Sequence, residues 1–211
     1  NQTIDTSNFV GATQFTASGG NGLTLSITLS GNTLQLTGAG TAYTLGGTSF
    51  LAGANDTLNL KLTDGSAAGV QFAATGITAS NIENIVITVS DTHASPGGAF
   101  NDQVTLLGNT SKSITVSGNA GLTLTATSTA LTSVDASGIT LGGFTWTSGA
   151  LIGAAITVKG SATGTNIIDL STTSTAVVNY TGGTGVNTLT TGSGNDIVTI
   201  GNITGTTNLN F

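Results

Sequence analysis

The chain has 211 residues and a formal net charge of −6, from three lysines, no arginine, nine acidic residues and one histidine. Charged residues make up 6%, against about 25% in an ordinary domain. The lack of a basic surface excludes a nucleic-acid partner, the absence of Cys excludes disulfides and Cys-based zinc sites, and no apolar run of roughly 18 residues offers membrane insertion.

The start, NQTIDTSNFV, is polar and shows no cleavable signal. A chain that starts at Asn1 and carries no Met reads as a processed product or an excised fragment. Glycine numbers 32 and threonine is about one residue in five, far above ordinary usage. Disorder would fit those counts, but 37% of residues are hydrophobic, enough for a core. Helix signals are almost absent, because β-branched residues and glycine dominate and no 3.6-residue apolar spacing recurs. LTLSITL at 23–29 alternates apolar and polar residues at period two. Ser30-Gly31-Asn32 then reads as a turn, and TLQL at 33–36 as the returning strand of a hairpin. LNLKL at 58–62 alternates again, closed by Asp64-Gly65. NIENIVITV at 81–89 is the most apolar strand. Pro96, the one proline, marks a loop at 94–98. Residues 1–110 therefore read as a β-rich module of strand hairpins, antiparallel in character.

From about residue 113 the pattern becomes periodic. Short strands start near Ser113, Leu122 and Leu131, and again near Ala155, Asn166, Ala176, Asn187 and Asp196. A step of about ten residues with one short strand each is half a coil of a β-solenoid. Stacked coils would turn Val116, Leu124, Ile156, Ile168, Val178, Leu189 and Val198 into inward ladders, with Gly, Ser, Thr and Asn at the corners. The insert at 141–152, with Phe144 and Trp146, would cap or decorate the stack. The fold expected is all-β: an antiparallel N-terminal part over 1–110, then a parallel β-solenoid or β-roll over 111–211.

The chemistry concentrates near the C-terminus. GTGVNTLTT at 183–191 and GSGNDIVTI at 192–200 align nine residues apart. Gly183 then meets Gly192, Gly185 meets Gly194, and Asn187 meets Asp196. This spacing matches the G-G-x-G-x-D-x-φ-x nonapeptide of calcium-binding β-rolls. Glycine turns expose carbonyls, Asp adds charge, and Ca²⁺ takes six to eight such oxygens. Asn187 lacks charge and would weaken its site. Sites in such a roll are shared by turns one coil, about eighteen residues, apart. Asn187 and Asp196 would then lie on opposite edges, with Asp169 beneath Asn187. Asp196 would need a coil beyond Phe211, so the parent chain is expected to continue. The pattern Asn-Asp-x-φ-x-φ occurs at Asn55-Asp56, Asn101-Asp102 and Asn195-Asp196. Asp56 and Asp102 are candidate ligands too, and an Asx-turn that starts the strand is the plainer reading of both.

Other constellations are weaker. His93 stands alone in the Pro/Gly loop, and no base, oxyanion clamp or paired acids stand out by spacing. Phe144 and Trp146 suit stacking on sugar less than filling the solenoid. Threonine ladders could bind ice, but a regular Thr-x-Thr array appears only in fragments such as LTLT at 122–125.

GANDTLNLKL, ASNIENIVIT, the run NDQVTLLGNTSKSITVSGNAGLTLTATSTALTSVDAS and TGGTGVNTLTTGSGNDIVTIG carry a resemblance. Over about 53–201 the chain resembles the RTX-type surface-layer (S-layer) proteins of Gram-negative bacteria, the Caulobacter-type family. The resemblance implies type I secretion, folding on Ca²⁺ outside the cell and self-assembly into a two-dimensional lattice. The partners implied are lattice neighbours, with cell-surface polysaccharide held by parts outside this chain. The nonapeptides are few and Asn187 replaces Asp, which departs from the family pattern. Charge physics runs the same way: repulsion keeps an acidic chain loose where Ca²⁺ is scarce, and external Ca²⁺ stabilises the fold by mass action. The alternative is a segment of a large secreted RTX adhesin that binds a surface or glycan. An RTX-associated enzyme would need a nucleophile elbow or H-E-x-x-H, and the chain has neither.

Overall fold

The computed structural model describes residues 2–26, 30–45, 53–64, 73–92, 101–107, 110–151, 153–172, 175–201 and 204–211. Two sheets form the body, one of 12 strands and one of 9. From Thr57–Asp64 onward, successive strands alternate strictly between the sheets. Each pair of strands is one coil, and about eight coils stack into a parallel β-solenoid.

Alternation places every second residue inside. Leu58, Ile85, Ile114 and Val134 stack across one sheet in register. Leu124, Trp146, Ile168 and Leu189 do the same across the other. All of these are buried to within 1% of full exclusion. Burying each large apolar side chain stabilises the fold by roughly 1.5–3 kcal/mol. No coil can do this alone, because its inward residues need the coils above and below. The inward positions expected at Val116, Leu124, Ile156, Ile168, Val178 and Leu189 are all buried, and Val198 packs partly buried against the same core.

Two expectations are corrected. The N-terminal part is not antiparallel: every strand pair among the described residues is parallel, from Gln2–Asp5 onward. Leu23–Ser26 and Thr33–Leu36 do not form a hairpin; they belong to different sheets. The turn at Ser30-Gly31-Asn32 carries the chain across the coil instead of back along it. Period-two alternation suggests antiparallel pairing because most parallel sheets are covered on both faces. A solenoid covers only one face, so its parallel strands alternate in the same way. Across residue 110 the pairing continues unbroken, Asn84–Asp91 with Ser113–Gly118 and Asn101–Leu107 with Gly121–Ala126. The second correction concerns 141–152. Phe144–Ser148 is an ordinary strand, and Phe144 and Trp146 fill the core of the stack. His93, Pro96, Gly65 and residues 27–29 lie outside the described residues.

Glycine is required where coils touch at the corners. A Cβ on Gly164 would overlap the Gly142 carbonyl, and Gly142 itself has φ +90° beside the Gly121 backbone. These corners allow the close coil spacing that the ladders need.

Candidate functional site

The two aligned nonapeptides fall where expected in one respect. Asn187 starts a strand of the 12-stranded sheet, Asn187–Thr190, and Asp196 immediately precedes Ile197–Ile200 of the 9-stranded sheet. They therefore sit on opposite walls of the solenoid. Their environments differ sharply.

Asn187 is fully buried. Its Oδ1 accepts hydrogen bonds from the Tyr180 hydroxyl at 2.9 Å and from Asn166 Nδ2 at 3.0 Å. Its Nδ2 donates to the carbonyls of Gly183 and Gly185, at 3.1 and 2.8 Å. Two carbonyls that could face a cation converge on an amide donor instead. Asn166, one coil before, repeats the device: Nδ2 donates to the Ser161 carbonyl at 3.0 Å and Oδ1 accepts the Ser161 N–H at 2.7 Å. The four strong hydrogen-bonding positions of the Asn187 amide are thus filled by protein. Gly183 lies against the carbonyls of Ser161 and Ala162, and Gly185 against those of Thr163 and Gly164, so both glycines serve coil contact. Asp169 is not beneath Asn187; the coil here is longer than eighteen residues, so Asn166 takes that place and Asp169 aligns with Thr190. Its Oδ1 accepts the Ser171 N–H at 3.0 Å, a local turn at the end of its strand.

Asp196 keeps the eighteen-residue coil. Its Oδ1 accepts the Val178 N–H from the previous coil at 2.9 Å. Its Oδ2 is buried and has no hydrogen-bond partner among the described residues. Gly194 packs against the Ala176 carbonyl, Gly192 is half-buried, and Asn195 is exposed. A carboxylate oxygen without a donor is costly when shielded from water, and a bound cation is one way to compensate it. Asp56 shares this feature. Its Oδ2 is buried beside Gly53 without a partner among the described residues, and its backbone N–H donates to Glu83 Oε2 at 3.0 Å. Asp102 is 3% exposed, in register with Leu122. Neither Asp56 nor Asp196 closes an Asx-turn on its own strand, whereas Asp135 and Asp169 do. Among the described residues, no three His, Cys, Asp or Glu side chains gather at one point.

No family model, curated protein or solved structure matches this chain. The site is therefore judged on its own atoms. The Asp196 turn fits a hard cation by its orphaned carboxylate oxygen and neighbouring glycines; the Asn187 turn does not, because an amide already holds its carbonyls.

Two features escaped the sequence reading. Lys159 Nζ donates to Asp135 Oδ2 at 2.8 Å across neighbouring strands. Residues 24 apart betray no pairing until the coil length is known. A groove of about 580 Å³ runs over the corner glycines Gly142, Gly143, Gly164 and Gly185, flanked by Ile167 and Val186. No titratable side chain lines it.

Proposed function

We propose that the chain is a structural module of a bacterial surface layer, exported by a type I system and assembled with copies of itself into a two-dimensional lattice. The observation that carries this reading is the uninterrupted parallel stack. Every coil keeps the two-sheet core while its turns vary in length, so the body is a stiff element that lattice neighbours can meet at fixed positions. Its last described strands expose Ile197 and Leu209, apolar side chains suited to a neighbouring copy. Ca²⁺ at the Asp196 turn stabilises the folded stack outside the cell. Asp196 supplies the anionic oxygen, and Asp56 and Asp102 are secondary ligands in this reading. Asn187 contributes structure and no charge.

The test is thermal melting with EDTA and with millimolar Ca²⁺, followed by size-exclusion and electron microscopy of the same samples. The expected result is a rise of several degrees with Ca²⁺ and growth of ordered sheets. At a hundredfold excess over Kd, one site adds about 2.7 kcal/mol. Asp196→Ala should lose most of the rise. An unchanged melting temperature, with only monomers in both samples, would reject the reading.

A second reading, a segment of a large secreted adhesin, is favoured by one observation: the wide hydroxyl-bearing face of the 12-stranded sheet. Such a segment would stay monomeric in Ca²⁺ and bind a surface.

A further inference from the structure

The strands of the 12-stranded sheet present their odd-numbered residues outward from Thr123 to Asp169. In Gly121–Ala126 these are Thr123 and Thr125, and in Phe144–Ser148 they are Thr145 and Thr147. The register sets Thr123 on Thr145 and Thr125 on Thr147. Asn166–Asp169 follows with Ile167 and Asp169 in the same two files, and Asn187–Thr190 then returns Thr188 and Thr190. Asn208 and Asn210 extend the files by one more strand. Same-face neighbours along a strand are about 6.6 Å apart, and adjacent strands about 4.8 Å apart. The side chains thus occupy a rectangular net of fixed repeat in both directions.

Three observations give this net meaning. First, the six threonine hydroxyls have no hydrogen-bond partner among the described residues. Threonines at the corners behave otherwise: Thr140, Thr184 and Thr204 each donate to a carbonyl of the preceding coil. Second, the outward face of the other sheet does not carry an uncharged net: its file Thr115, Asp135, Lys159, Thr181 holds an ion pair between its threonines. Third, Asp169 is the one ionisable residue on the net between Gly121 and Asn210, and its Oδ1 is tied to the Ser171 N–H.

From this we infer that the threonine face binds ice. A ligand matched to this face must be uncharged, able to donate and accept hydrogen bonds, and periodic in two dimensions at these repeats. The oxygen rows on a prism plane of hexagonal ice are uncharged, donate and accept hydrogen bonds, and repeat in two dimensions on a comparable scale. Threonine suits the task because its hydroxyl both donates and accepts, while its methyl group orders the water between files. Its branched β-carbon restricts χ1, so little side-chain freedom is lost on contact. The stacked coils hold the net rigid beforehand, which removes a further cost of binding. A single polysaccharide chain repeats in one dimension and a folded protein partner in none; a crystalline polysaccharide surface is the competing outcome that the test separates. Ile167 and Asp169 interrupt the net and divide it into two blocks.

The experiment uses the whole chain, labelled on its amines and frozen slowly around a single-crystal ice hemisphere. The folded protein should concentrate in the ice on defined planes and should slow ice recrystallisation. Thr147→Tyr, and separately Thr190→Tyr, should lose adsorption with an unchanged circular dichroism spectrum and melting temperature. Thr181→Tyr, on the opposite wall, should adsorb as the native chain does. Ile167→Thr with Asp169→Thr joins the blocks and should increase adsorption. Exclusion of the folded native protein from ice would overturn the proposal. So would equal behaviour of the Thr147 and Thr181 variants, or retention on cellulose or chitin in place of ice.

Discussion

Asn187 and Tyr180 show how this chain satisfies buried polar groups without charge. The Asn187 amide closes the glycine turn at Gly183 and Gly185 from inside, and the Tyr180 hydroxyl supports it from the opposite sheet. Removing the hydroxyl in Tyr180→Phe leaves Asn187 Oδ1 with Asn166 as donor, so the expected loss is about 1 kcal/mol. Asn187→Ala strips the half-buried carbonyls of Gly183 and Gly185 of their donor and the buried Tyr180 hydroxyl and Asn166 amide of their acceptor. The expected loss is about 3 kcal/mol or more, since each orphaned group costs about 1–3 kcal/mol. Urea unfolding at neutral pH separates the two. Burial also pushes the Tyr180 and Tyr43 hydroxyls above the ordinary phenol range. These are the two tyrosines of the chain. A raised folded pKa means stability that is complete below about pH 10, the unfolded value, and is lost as pH rises toward the folded one. Phenolate absorbance in the native protein should therefore appear only above the pH at which free tyrosine ionises, and together with unfolding.

At the scale of single strands, Phe144–Ser148 carries the largest buried side chain, Trp146, stacked between Leu124 and Ile168. Trp146→Ala opens a cavity that backbone contact between coils prevents from collapsing. The expected cost is about 3–5 kcal/mol, read as a lowered urea midpoint. The neighbouring wall shows the weaker kind of contact. Burial alone would raise the Asp135 carboxyl, but hydrogen bonds from Lys159 and Ser137 outweigh it and hold the group below the ordinary carboxylate range. The stability this adds is present above that ordinary range and is lost as pH falls through the folded value. Lys159 is exposed, so Lys159→Ala should leave stability at neutral pH nearly unchanged. It should move the Asp135 titration upward, measured by carboxyl NMR. The strands themselves were legible in the residues. Period-two alternation and glycine corners mark most half-coils from Ser113 on. Their partners were not legible, because alternation reports one buried face and is silent on strand direction.

At the scale of the whole molecule, stability is a sum over neighbouring coils. Coils in the middle are covered on both sides, while Leu209, in register with the buried Leu189, and Phe211 remain 42% and 68% exposed. Hydrogen exchange should be slowest in Asn84–Asp91 and Ser113–Gly118 and fastest in Ile197–Ile200 and Thr207–Asn210. Equal protection along the stack would contradict a coil-by-coil description. The candidate cation site belongs to this scale as well. Asp196 is tied to Val178 eighteen residues before it, so a cation held there would clamp its coil to the preceding one.

The residues alone determined that this protein is all-β, that its second half is periodic, and that glycine turns closed by Asn187 and Asp196 punctuate it. Those properties follow from local backbone preference and alternation, which act within a few residues. Tertiary structure decided three other matters. It made the first half parallel, it turned Asn187 inward as a carbonyl clamp, and it aligned separate Thr-x-Thr fragments as two blocks on one face. Each depends on the length of a coil, which places residues twenty or so apart side by side, and that distance is set by stacking, not by local pattern.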